Sequence, residues 1–112
     1  MTPREIADTY LEAIRSKDLD KALFHPEVTY QFPLIQSKVV GRDNVLSYML
    51  SLLPGIDEVK VERHITEGEY VAILWQALTV WGELPICSVF RISDGLIHEV
   101  RSFWDPRPVL KK

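Results

Sequence analysis

Cysteine is almost missing from this sequence: Cys87 is the only one in 112 residues. One thiol cannot close an internal disulfide, and no cysteine–histidine cluster has zinc-binding spacing. The chain is therefore expected to fold on its apolar core, in a reducing compartment such as the cytoplasm. Positive charge is also scarce, with 13 basic against 16 acidic residues, a net charge of −3 and no basic run beyond Lys111-Lys112. Nucleic acid is excluded as a partner, because phosphate binding needs a concentrated positive face. No stretch approaches the roughly 20 apolar residues that span a bilayer, and MTPREIADTY lacks the basic start and apolar stretch of a signal peptide. No membrane, metal or cofactor is expected. Repeats, linkers and low-complexity segments are absent as well.

What is present is a core. Hydrophobic residues make up 46% of the chain and charged ones 26%, as in a globular protein. A chain this long buries roughly two thirds of its unfolded surface, which suits one domain over residues 1–112 without staples. Thr2-Pro3-Arg4-Glu5 reads as a helix start, with a hydroxyl cap, proline at the first helical position and an acid three residues after the cap. Ile6, Ala7, Tyr10, Leu11 and Ile14 then form one apolar stripe. A second short helical piece runs from Asp18 through Leu23 and ends at His25-Pro26. VTYQF, residues 28–32, is β-branched and aromatic and reads as a strand stopped by Pro33. IQSKVVG reads as a loop. Val45, Leu46, Met49, Leu50 and Leu53 mark a third helix, ended by Pro54-Gly55.

From Asp57 onward the apolar period falls to two. EVKVERHIT predicts a half-buried strand, with His64 on the face opposite Val61 and Ile65 and so at the surface. YVAILWQALTVW, residues 70–81, is apolar on both faces, which predicts that both are covered. PICSVFRI, a tight Asp94-Gly95 hairpin and LIHEVRSFW follow. Helices first and hairpin-joined strands last predict an α+β layout, with helices on one face of a strongly bent antiparallel sheet. Cys87 reads as core.

Three stretches carry a family resemblance. YLEAIRSKDLDKAL is similar to an opening helix pair with a polar break before a "DLD" second helix. VVGRDNVLSYM is similar to a loop leading into a third helix, and FRISDGLIHEVRSFWDP to a closing hairpin. In this order the chain resembles the NTF2-like superfamily, the cone-shaped fold shared by ketosteroid isomerase, limonene-epoxide hydrolase and the SnoaL-like polyketide cyclases. The resemblance implies a pocket enclosed by the bent sheet and first helices, and a homodimer formed through the sheet's outer face. It places His98, Val100, Ser102 and Trp104 inward on the last strand, with Ile97, Glu99, Arg101 and Phe103 outward. Val28, Tyr30 and Phe32 face inward on the first strand, and Ser88 and Phe90 on the fourth. On the third strand Ile73, Trp75, Ala77, Thr79 and Trp81 face inward, or the phase of residues 70–81 is inverted.

The resemblance also shows what is lost. The isomerase base is an aspartate on the first strand, where this chain has Phe32. Its oxyanion donors are a tyrosine on the first helix, matched by Tyr10, and a protonated aspartic acid, replaced here by Ser88. The epoxide-hydrolase aspartate on the last strand is replaced by Ser102. Three polar candidates for catalysis remain: Asp105, which could reach the pocket mouth, His98 with its imidazole, and Tyr10 as a hydroxyl donor. Three functions stay open. The first is an apolar, aromatic-walled cavity binding a small hydrophobic molecule, lined by Tyr10, Tyr30, Phe32, Trp75, Ser88, Phe90, Val100, Ser102 and Trp104. The second is an isomerase, cyclase or hydratase using Asp105 or His98 with Tyr10. The third is a dimerising association module with a filled pocket. Asp105-Pro106-Arg107-Pro108 would halt the last strand, letting Val109 and Leu110 pack back on the body.

Overall fold

A capping box opens the chain: the Thr2 hydroxyl accepts from the Glu5 backbone N–H while the Glu5 carboxylate accepts from the Thr2 N–H. It fixes the start of helix α1, Pro3–Ser16, whose buried stripe includes Ile6, Ala7, Tyr10, Leu11 and Ile14. The computed structural model describes residues 1–33 and 37–110. After α1 come a single 3-10 turn (Leu19–Lys21), strand β1 (Phe24–Gln31), the short β2 (Val39–Val40) and helix α2 (Arg42–Leu52). A second 3-10 turn (Leu53–Gly55) leads into β3 (Ile56–Glu67), β4 (Tyr70–Thr79), β5 (Gly82–Ser93), β6 (Leu96–Phe103) and a last helical turn, α3 (Arg107–Leu110).

The six strands form one sheet in the order β2-β1-β6-β5-β4-β3. It is a mixed sheet and not the wholly antiparallel one expected, because β1 runs parallel to β6. Two local readings also change. His25-Pro26 does not end a helix but lies inside β1, where the pairing with β6 is irregular between Phe24 and Thr29. Within the expected loop, Ile35 and Gln36 lie outside the described residues, while Val39 and Val40 pair with Tyr30 and Thr29 as β2. The Asp94-Gly95 hairpin stands as read, both residues having the positive φ (53° and 75°) that a tight turn between twisted strands requires.

Side-chain parity departs from simple alternation where the ladder slips. An extra residue in one strand turns the following side chains to the other face. In β3 the pairing shifts between Val61 and Arg63, so that His64 lies opposite the buried Ile73. Its Nε2 meets Asp8 Oδ1 of α1 at 2.7 Å. His64 is therefore an inward group, and Val61 and Ile65 are the exposed ones, reversing the sequence reading. In β6, Glu99 pairs with Arg91 but Ile97 pairs with Ile92, which makes His98 the extra residue. Ile97, expected outward, is consequently fully buried beside Phe24 and Ile92.

Helix α1 lies across the inner face, with Tyr10 edge-on to Phe90 at 5.2 Å between ring centroids. Helix α2 buries Val45 and Met49, but Leu50 is 60% exposed and leaves the expected stripe. Because α2 packs chiefly against β1 at the sheet's rim, only a narrow side of it is covered. At the tail, Val109 turns back toward the body as expected, whereas Leu110 stays exposed.

The slip in β6 has a measurable consequence. Ile97→Ala is expected to cost about 2–5 kcal/mol in urea unfolding, as for a fully buried aliphatic side chain. Ile65→Ala should change stability by no more than about 0.5 kcal/mol. The reverse order of costs would refute the assigned phase.

Candidate functional site

Among the described residues the inner face carries a buried polar cluster built on Ser88 and Ser102. Ser88 of β5 and Ser102 of β6 are direct cross-strand partners, and their hydroxyls meet at 2.8 Å. One register step across, Ile73 faces Ser88, and the next inward residue of β4, Trp75, donates its indole N–H to Ser88 Oγ at 3.0 Å. From the opposite side, Tyr10 of α1 and Tyr30 of β1 bring their hydroxyls together at 2.8 Å. Burial holds both phenols above their ordinary range, Tyr10 well above it, and the neighbouring Ser102 hydroxyl offsets only part of that. The cluster is thus neutral, a set of hydroxyls with one indole N–H. Among the described residues no buried side-chain nitrogen or oxygen lacks a partner.

Above this cluster lies a hollow of about 70 Å³. Tyr10, Tyr30, Trp75 and Ser102 form its polar end, and Phe32 and Trp104 stack in parallel at 6.4 Å on one wall. Ser88, Phe90 and Val100 do not border it: all three are fully buried, Ser88 within the cluster and Phe90 and Val100 in the surrounding packing. The sequence reading missed much of the mouth. Leu52, Leu53 and Ile56 come from the α2–β3 junction, and Leu84 and Ile86 from the start of β5. Leu53 was legible as part of an apolar stripe, but nothing in the sequence joins that stripe to the pocket. Thr79 and Trp81 also border the hollow, Trp81 from the β4–β5 turn beyond the strand's end.

The proposed proton-transfer groups lie elsewhere. Asp105 is exposed and accepts from the Arg107 guanidinium at 2.6–3.0 Å and from its backbone N–H at 3.0 Å. These bonds hold its carboxyl below the usual range, which makes it a weaker base. Asp105 thus serves the turn that ends β6, and it does not border the hollow. His98, expected to face inward, is half-buried at the β1–β6 rim, where it stacks on His25 at 4.3 Å and bonds the Ser93 carbonyl. Cys87 is not core: it sits half-buried on the outer face, and desolvation raises its thiol pKa. Among the described residues no three His, Cys, Asp or Glu side chains converge as a metal site requires. No helix among them is long and apolar enough to cross a membrane.

The SnoaL-like domain family matches residues 7–100, and the chain belongs to that family. A comparison with curated protein sequences gives no match. Among solved structures the chain is similar to an NTF2-like protein of unknown function from Cytophaga hutchinsonii, with a TM-score of 0.85 and 16% identity over 99% of this chain and 96% of that one. It is similar to a candidate ketosteroid isomerase from Kribbella flavida (TM-score 0.81, 23% identity, 92% of this chain and 77% of that one). A candidate SnoaL-like polyketide cyclase from a Jannaschia species gives a TM-score of 0.82 at 20% identity, over 96% of this chain and 88% of that one. At such identities the likeness is one of fold, and activity must be argued from the site.

The cluster's coupling can be measured. Ser88→Ala strands the Trp75 N–H and removes the Ser102 partner, and is expected to cost about 1–3 kcal/mol. In a Trp75→Phe background the same change should cost less, because the stranded donor is gone. Equal costs in the two backgrounds, by denaturant unfolding, would contradict the bond as a stabilising one.

Proposed function

We propose that this chain is a binding domain for a small neutral molecule, apolar over most of its surface and carrying one hydrogen-bond acceptor such as a carbonyl. The observation that carries this reading is an apolar hollow ending in a neutral donor cluster. Of the cluster's five polar protons, the three bonds Trp75–Ser88, Ser88–Ser102 and Tyr10–Tyr30 consume three. One serine proton and one phenol proton remain for each other or for an occupant. Among the described residues no charged side chain borders the hollow, so an ionised ligand would lose its hydration there without compensation from them. An acceptor-bearing neutral ligand suits both features. The alternative of an isomerase, cyclase or hydratase using Asp105 or His98 is not favoured, since neither side chain borders the hollow.

The domain is further proposed to act as a homodimer through the outer face of its sheet. Leu74, Cys87 and Phe103 form one row across β4, β5 and β6 there, with Ala72 and Val89 in the adjacent row. Phe103 is 50% exposed under the Arg101 guanidinium, and a second copy would cover this apolar strip. The lone thiol is consistent with work in the cytoplasm.

Butanone is the simplest probe of the pocket. Titrated into labelled protein, it should shift the Trp75 indole N–H signal saturably, while butyrate should not. Tyr10→Phe or Tyr30→Phe should weaken the butanone effect roughly two- to tenfold, matching the ~0.5–1.5 kcal/mol of one hydrogen bond. Equal binding of ketone and carboxylate would contradict the proposed selectivity. For the dimer, sedimentation at micromolar concentration should give about twice the 12.9 kDa chain mass, and Phe103→Glu should lower it. A wild-type species at 12.9 kDa would rule the dimer out.

A further inference from the structure

Gly55 occupies an unusual position beneath Trp81, which borders the hollow. A Cβ built there would lie 2.6 Å from two ring atoms of Trp81, closer than any real contact allows. Its backbone is not in the left-handed region, so conformation alone does not demand glycine. The requirement comes from the indole, which rests directly on the Gly55 backbone. The seat itself is held from two directions. Lys17 Nζ bonds the carbonyls of Leu53 and Ile56, which bracket it. The Val80 N–H bonds the Gly55 carbonyl at 2.9 Å. The Trp81 N–H is in turn tied to Thr79 Oγ1 at 3.1 Å, and Thr79 Oγ1 donates to the Gly82 carbonyl at 2.7 Å.

Trp81 borders the hollow and is 39% exposed, so its ring stands between the hollow and solvent. The backbone around it is bonded in place, which leaves the ring as the adjustable part. The hollow beneath, at about 70 Å³, is well short of the roughly 300–1,000 Å³ of ordinary ligand sites.

We infer that Trp81, seated on Gly55, is the size-determining residue of the binding site: the indole restricts the hollow to compact molecules, and the absent side chain at Gly55 is what lets it do so. This inference rests on the binding reading above. It adds a specificity element that the cluster cannot supply, because the hydroxyls recognise an acceptor and not a length. The Gly55–Trp81 pair acts on the opposite end of the ligand.

The test compares butanone with acetophenone, two ketones with the same acceptor and different bulk, again through the Trp75 indole signal. Wild-type protein should bind butanone and disfavour acetophenone. Trp81→Ala should raise the acetophenone-to-butanone affinity ratio by about tenfold or more, the scale on which an apolar pocket discriminates by a few carbons. Gly55→Ala should act in the same direction, because its methyl displaces the ring, and acrylamide should then quench indole fluorescence more strongly. Trp81→Phe should fall between, and serves where the alanine variant folds poorly. An unchanged acetophenone-to-butanone ratio in Trp81→Ala and Gly55→Ala would overturn the size role while leaving the binding reading intact. If neither ketone shifts the Trp75 signal in any variant, the binding reading falls and the size role with it.

Discussion

The continuous inner face of this sheet depends on where its hydrogen-bond ladder slips. Strict alternation over strands as long as β3 and β5 would turn every second residue outward and leave the sheet comparatively flat. Shifts between Phe24 and Thr29, Val61 and Arg63, and Arg91 and Ile92 bend it instead and redirect particular side chains inward. Ile97 joins the core by this route, and His64 reaches Asp8 on α1 by the same means. The curvature gives α1 a trough to lie in. It is Tyr10 from that helix, meeting Tyr30 from β1, that closes the polar end of the hollow.

The polar groups sealed inside are matched to that enclosure. Burying a carboxylate there would require a partner or a raised pKa. Phe32, Ser88 and Ser102 place no carboxylate in this part of the interior. Two serines on adjacent strands satisfy one another and the Trp75 indole, while the phenols satisfy each other. The resulting cluster is uncharged at ordinary pH and able to donate, which is what the proposed binding role draws on; general acid–base catalysis needs instead a group poised to exchange protons near neutrality.

How much of this was legible beforehand differs from element to element. The α1 cap and stripe were readable because they depend on neighbours three and four residues apart. The Asp94-Gly95 turn was readable because few residue pairs tolerate two positive φ values in succession. The ordering of helices and strands carried the family, and Tyr30 and Ser102 lie inward as the resemblance implied because they sit in unbroken stretches of strand, where parity holds; Trp75, whose phase was left open, is inward as well. His98, Ile97 and His64 were misplaced because parity does not survive a bulge, and no residue type in ERHITE or GLIHEV announces one. Asp105 was readable as a turn-former or as a base, and only the position of Arg107 separates the two.

The sequence by itself determined the periodicities, the turns and the apolar or hydroxyl character of Tyr30, Phe32, Ser88 and Ser102, since each is a matter of composition or short spacing. Tertiary structure alone decided the parallel β1–β6 pairing, the ladder slips and the narrowness of the hollow. Gly55 illustrates the division well. In the chain, Pro54-Gly55 reads as the end of a helix. In the fold the same glycine is the floor under Trp81, 26 positions away in the numbering. A close approach between distant segments leaves no local signature, because its steric demand falls on a residue whose partner is chosen only when the sheet folds over.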